Sequence, residues 1–104
     1  MVKCNVCGIV LNEKPDVCPK CGAKDFTELT PEAAALYIKS RETDILYIKA
    51  IKAAAKLQEL SAKGIELNLD PACVSAFTKI KAAAYLTEQM SKAELISHST
   101  KGKF

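Results

Sequence analysis

Cys4-Asn5-Val6-Cys7-Gly8 and Cys18-Pro19-Lys20-Cys21-Gly22 decide how this chain reads. Each is a C-x-x-C-G unit, and ten residues lie between Cys7 and Cys18. Two residues between cysteines let one tight turn aim both sulfurs at a single point. A second such turn completes a tetrahedral cage of four thiolates from Cys4, Cys7, Cys18 and Cys21, which suits zinc or a single iron. The glycine that follows each pair permits a positive φ, which turns backbone N–H groups toward the sulfurs. The expected cofactor is therefore one Fe or Zn ion per chain, held tetrahedrally by the four thiolates of Cys4, Cys7, Cys18 and Cys21.

Working outward, the segment Ile9 to Val17 reads as strand, turn and return. Ile9, Val10 and Leu11 favour extended backbone, and Asn12 to Asp16 carry turn chemistry. A unit of about thirty residues buries too little apolar surface to fold alone, so the metal supplies the missing stability. Phe26 is the only aromatic of this segment and is expected to cover one side of the site.

The extended pattern Cys4-x-x-Cys7-Gly8, Pro15-x-x-Cys18-Pro19-x-Cys21-Gly22-Ala23 and Lys24-Asp25-Phe26 resembles the rubredoxin-like ribbon attached to rubrerythrins. The resemblance covers roughly the first thirty residues. It implies one iron on Cys4, Cys7, Cys18 and Cys21 that shuttles an electron in redox or oxidative-stress chemistry. The alternative is a structural zinc ribbon on a helical protein–protein interaction module.

After the ribbon the composition changes to one rich in Ala, Leu and Ile. Thr30-Pro31-Glu32 is a helix start, with Thr as N-cap and Pro in the first helical position. The first helix is expected to run over about 31–63, with Gly64 as its C-terminal stop. Asp70-Pro71 starts a second helix over about 71–97, and 99–104 is expected to form a flexible tail. Residues 30–98 thus form an antiparallel helical hairpin after a metal module at 1–29.

A seam at heptad-like spacing runs along the first helix through Leu36, Thr43, Leu46, Ala50, Ala53, Leu57 and Leu60. Tyr37, Tyr47, Ile48, Ile51 and Ala54 widen the apolar arc beyond the roughly 100° that one partner helix covers. The second helix is also broadly apolar, at Ala76, Phe77, Ile80, Ala83, Ala84, Leu86, Met90 and Ala93. Two helices alone leave both arcs uncovered. A homodimer or higher homo-oligomer is therefore expected, most simply two hairpins in a four-helix bundle.

Other chemistry is sparse. The only histidine is His98, with Glu94 four residues before it, and there is no Glu-x-x-His. The two-iron site of the rubrerythrin bundle, and peroxidase activity with it, are not expected. His98 reads as a solvated helix-end residue. Cys73, in the first turn of the second helix, reads as a small buried hydrophobe rather than a reactive thiol. Arg41, Lys49, Lys52, Lys56 and Lys63 form a basic strip, but the net charge is only +3, so nucleic acid is not an expected partner. No nucleophile–base pair, phosphate loop or carboxylate pair points to an enzyme. The absence of an apolar leader and of any run of about eighteen apolar residues gives a cytoplasmic, non-membrane expectation. A redox or subunit protein partner fits the iron reading.

Overall fold

The computed structural model describes residues 1–100, with side chains through Ser99. Three short strands come first: β1 (Val2–Cys4), β2 (Val10–Leu11) and β3 (Phe26–Glu28). Two helices follow, α1 (Pro31–Leu67) and α2 (Pro71–Thr100). No helix is long and apolar enough to cross a membrane among the described residues. Contacts divide the chain into two units, Met1–Thr43 together with the stretch from His98, and Asp44–Ser97.

In the first unit β1 is the central strand of an antiparallel sheet of order β2-β1-β3. Val2 pairs with Leu11 on one side and with Glu28 on the other. The expected strand at Val10–Leu11 is present, but its partner is β1. The return toward Cys18 is not a strand, because residues 12–17 turn and bend, and β3 forms only after the second knuckle. Val2 and Val10 are buried with Cys4 and Cys18, so the ribbon's core is two valines and two thiols.

Arg41 ties the start of α1 to this ribbon. Its Nη2 donates to the Val10 carbonyl at 3.0 Å and its Nη1 to Asn12 Oδ1 at 3.5 Å. The guanidinium lies 4.6 Å from the centroid of the Tyr37 ring, and Tyr37 is buried. Of the basic strip, Lys49, Lys52, Lys56 and Lys63 are exposed, and only Arg41 is drawn inward. Arg41 is a strut, and Lys56 and Lys63 both pair with Glu59, at 3.7 and 3.4 Å.

The helix starts are as the sequence reading expects. Thr30 Oγ1 accepts the Ala33 N–H at 3.2 Å, and Asp70 Oδ1 accepts the Cys73 N–H at 2.7 Å. The end of α1 is not. The helix continues through Gly64 to Leu67, and Asn68 takes the left-handed turn at φ 48°. Asn tolerates that conformation and closes the helix in place of the expected glycine. Gly64 is needed for close approach, since a Cβ there would collide with the Phe77 ring of α2. α2 likewise extends past 97, so residues 99 and 100 are helical; the rest of the expected tail lies outside the described residues.

In the second unit α1 and α2 run antiparallel, with Gly64 against Phe77 and Gln58 Nε2 donating to Glu88 Oε2 at 3.2 Å. The Gln58 bond, and secondarily Lys92, holds the Glu88 carboxyl below its usual range. The faces that meet differ from the expected leucine seam. Buried or half-buried positions on α1 in this unit are Asp44, Tyr47, Ala50, Ile51, Ala54, Gln58, Ser61, Gly64 and Ile65. On α2 they include Phe77, Ala84, Glu88, Ser91 and Leu95. Leu46, Leu57 and Leu60 face away, at 64%, 43% and 49% exposure. Ser61 and Ser91 sit in the seam with their polar groups satisfied, because each hydroxyl donates to its own helix, to the Leu57 and Thr87 carbonyls.

Two stability measurements check this account. Replacing Arg41 with Met removes the Val10 bond and the ring contact, and is expected to lower unfolding free energy by about 1–2 kcal/mol in urea. Gly64→Ala is expected to destabilise by about 1–3 kcal/mol through overpacking, although Ala is the better helix former. In a Phe77→Ala background the same change becomes neutral or stabilising; an unchanged penalty there would return Gly64 to a purely backbone role.

Candidate metal centre

The two knuckles are built alike. In the first, Cys4 N–H donates to Ile9 O at 2.9 Å and Gly8 N–H donates to Cys4 O at 2.9 Å. In the second, Cys18 N–H donates to Ala23 O at 2.7 Å and Gly22 N–H to Cys18 O at 2.8 Å. Gly8 and Gly22 have φ of 80° and 76°, as their position after each cysteine pair predicts. A Cβ at either glycine would meet nothing within 4 Å, so backbone conformation and not space requires glycine there.

These turns bring four sulfurs together. The Sγ atoms of Cys4, Cys7, Cys18 and Cys21 all lie within 4.8 Å of one another. Cys4 and Cys21 are 3.6 Å apart, as are Cys7 and Cys18. A tetrahedron of sulfurs about 2.3 Å from a central ion has edges of about 3.8 Å. The cluster therefore has the size of a four-thiolate metal cage, and none of the four is joined in a disulfide. It could hold one metal ion; both zinc and iron accept this donor set.

Local electrostatics prepares the thiolates. The N–H of Cys7 points at Cys4 Sγ and outweighs burial; with the Val6 N–H and the Cys21 and Cys7 side chains it lowers the Cys4 pKa to about 6. At Cys18 burial opposes ionisation, but the Cys21 and Lys20 N–H groups and the neighbouring thiols prevail and its pKa is lowered. At Cys21 the Ala23 N–H favours the thiolate. Loss of water around the sulfur and the adjacent Cys4, Cys18 and Cys7 sulfurs override it and push the pKa up to about 12. Charge accumulates on the buried pair first, and the last proton stays on Cys21 until a cation balances it.

Exposure follows the same division. Cys4 and Cys18, the first cysteine of each knuckle, are buried; Cys7 is half-buried and Cys21 exposed. Val6, beside Cys7, is 67% exposed. Phe26 lies half-buried in β3, opposite Cys4 across the ladder.

Residues that sequence reasoning passed over hold the first knuckle in place. Asn5 N–H donates to Asp25 O at 2.9 Å, its Nδ2 donates to Asp25 Oδ1 at 2.9 Å, and Thr27 Oγ1 donates to Asn5 Oδ1 at 2.9 Å. Asn5 occupies a variable position inside C-x-x-C, so only a three-dimensional contact identifies it. Elsewhere, Cys73 is half-buried at the start of α2. His98 is corrected from a solvated end residue to a buried one, 8% exposed, within α2 rather than at its end. It shares a cavity of about 150 Å³ with Leu36, Lys39, Ser40 and Thr43.

Compared with protein-family models, curated proteins and solved structures, the chain matches none.

Metal uptake by the reduced, metal-free chain is expected to release fewer than four protons per ion at pH 7, because Cys4, with a pKa of about 6, is already largely ionised. At least the Cys21 proton, held with a pKa of about 12, must leave. Calorimetric titration in two buffers of different ionisation enthalpy counts them. Affinity should fall more steeply below about pH 6, as Cys4 regains its proton. Release of four protons at pH 7 would contradict a preorganised site.

Proposed function

We propose that the ribbon is a rubredoxin-like centre of the kind rubrerythrins carry, binding one iron on Cys4, Cys7, Cys18 and Cys21 and passing single electrons to and from a protein partner. The observation that carries this reading is the asymmetric burial of the cage. Two sulfurs are sealed inside while Cys21 is exposed and Cys7 half-buried. Outer-sphere transfer needs such an edge, because the partner must approach the ligand shell closely without touching the ion.

An iron bound there supplies one-electron chemistry between its ferrous and ferric states. The chain's own residues hold and tune it. The N–H groups of Val6, Cys7, Lys20, Cys21 and Ala23 directed at the sulfurs offset thiolate charge, which raises the potential at which an electron is accepted. Cys4 and Cys18, buried beside Val2 and Val10, keep water from one side. Val6 gives the open side an apolar rim, suited to the small and short-lived contacts of redox partners. Nothing in this arrangement moves a proton or attacks a substrate, and the reading is of a carrier, not an enzyme.

A second reading has one observation in its favour. The ribbon's own apolar core is limited to Val2, Val10 and the buried thiols. A redox-inert zinc would hold such a fold equally well, leaving function to the helices. The experiment that separates the two is anaerobic expression with iron supplied, followed by metal analysis and a visible spectrum on one sample. The electron-transfer reading expects one iron per chain, red when oxidised and bleached reversibly by reductant. One zinc per chain with no visible bands, from cells replete in iron, would overturn it.

A further inference from the structure

The helices of the second unit bury little against each other. Among its apolar residues only Ala54 and Ala84 are fully buried, while Leu46, Leu57, Leu60, Leu67 and Met90 are between 43% and 81% exposed. These side chains are not scattered. On α1, Leu46, Ala53, Leu60 and Leu67 recur every seven residues, with Ala50 and Leu57 beside them. Ala50, Ala53 and Leu57 line an open groove of about 220 Å³ whose other wall is Ala84 and Thr87 of α2. One side of the hairpin is thus a continuous apolar face.

We infer that this face is the self-association surface of the protein, and that its occupant is the same face of a second copy, related by a two-fold axis through the alanine groove. Three observations select a second copy over a foreign partner. The first is pattern. Leu46, Ala50, Ala53 and Leu57 read large, small, small, large at spacings of four, three and four. Ile80, Ala83, Thr87 and Met90 read large, small, small, large at spacings of three, four and three. Both runs read the same in either direction, so an antiparallel copy of either run meets side chains of matching size.

The second observation is charge. No Lys, Arg, Asp or Glu stands among the eight positions of these two runs. A face meeting its own copy must avoid placing like charges opposite each other, and these eight positions meet that condition. The third is size. From Leu46 to Leu67 the face is about 30 Å long and, over two helices, about 20 Å wide. That is roughly 600 Å² per copy, or roughly 1,200 Å² in all, the lower bound of a stable specific interface. The small central residues let the helix pairs approach closely, as in a four-helix bundle.

Sedimentation equilibrium of the full chain, as purified, tests this. The wild type is expected to be a dimer. Ala53→Glu, at the centre of the face but exposed within one chain, is expected to weaken association on the order of a hundredfold by burying unpaired charge. Ala83→Glu, on α2, should do the same independently. Ala55→Glu, exposed on the opposite flank of α1, should leave the dimer intact. Circular dichroism and metal content, unchanged in each variant, separate dissociation from unfolding, and the metal's identity does not enter the result. A monomeric wild type, a closed trimer, or a dimer that survives both face variants would overturn the inference.

Discussion

The convergence of four sulfurs is the constraint on which the ribbon depends. Its three strands contain only three, two and three residues, and such strands do not hold together by their own hydrogen bonds. What fixes them is that both knuckles must point inward at once. β1 runs directly into Cys4, and β3 leaves just after the second knuckle, so the sheet and the cage share one framework. The bonds of Asn5 to Asp25 and Thr27 close the same loop from outside. An ion at the centre would thus be both the chemistry and the keystone of the fold.

The helices follow a different logic. Their mutual seam is fully buried only at small residues, with Ala54, Ser61, Ala84 and Ser91 permitting close approach and the Gln58–Glu88 bond fixing one register. Polar seams specify alignment at the expense of stability. The large aliphatic side chains are displaced to the outer face, where a second copy can supply what the hairpin lacks. A stable ribbon and an incompletely covered hairpin would then be joined in one chain, with Arg41 anchoring β2 to the first turns of α1.

Features whose cause is local were legible in the sequence. The C-x-x-C-G spacing, the positive φ of Gly8 and Gly22, and the caps at Thr30 and Asp70 each depend on a few consecutive residues. Features whose cause is tertiary were not. Gly64 carries the signature of a helix stop, yet the ring of Phe77, thirteen residues away, is what requires it to be small. The heptad leucines give the strongest periodic signal, yet they mark the outward face, because the inner one mixes Tyr47, Ile51, Ile65 and Phe77 with serines, alanines and a glutamine that no hydropathy pattern selects. His98 looked terminal because the helix was expected to end at about 97. Asn5 and Arg41 carry no motif, and their roles exist only through partners brought close by folding.

The most direct test of the central claim is X-ray absorption at the metal edge of the protein as purified. The account predicts a single shell of four sulfur scatterers at about 2.3 Å, with no light-atom ligand. A shell containing nitrogen or oxygen, or fewer than four sulfurs, would show that Cys4, Cys7, Cys18 and Cys21 do not act together on one ion.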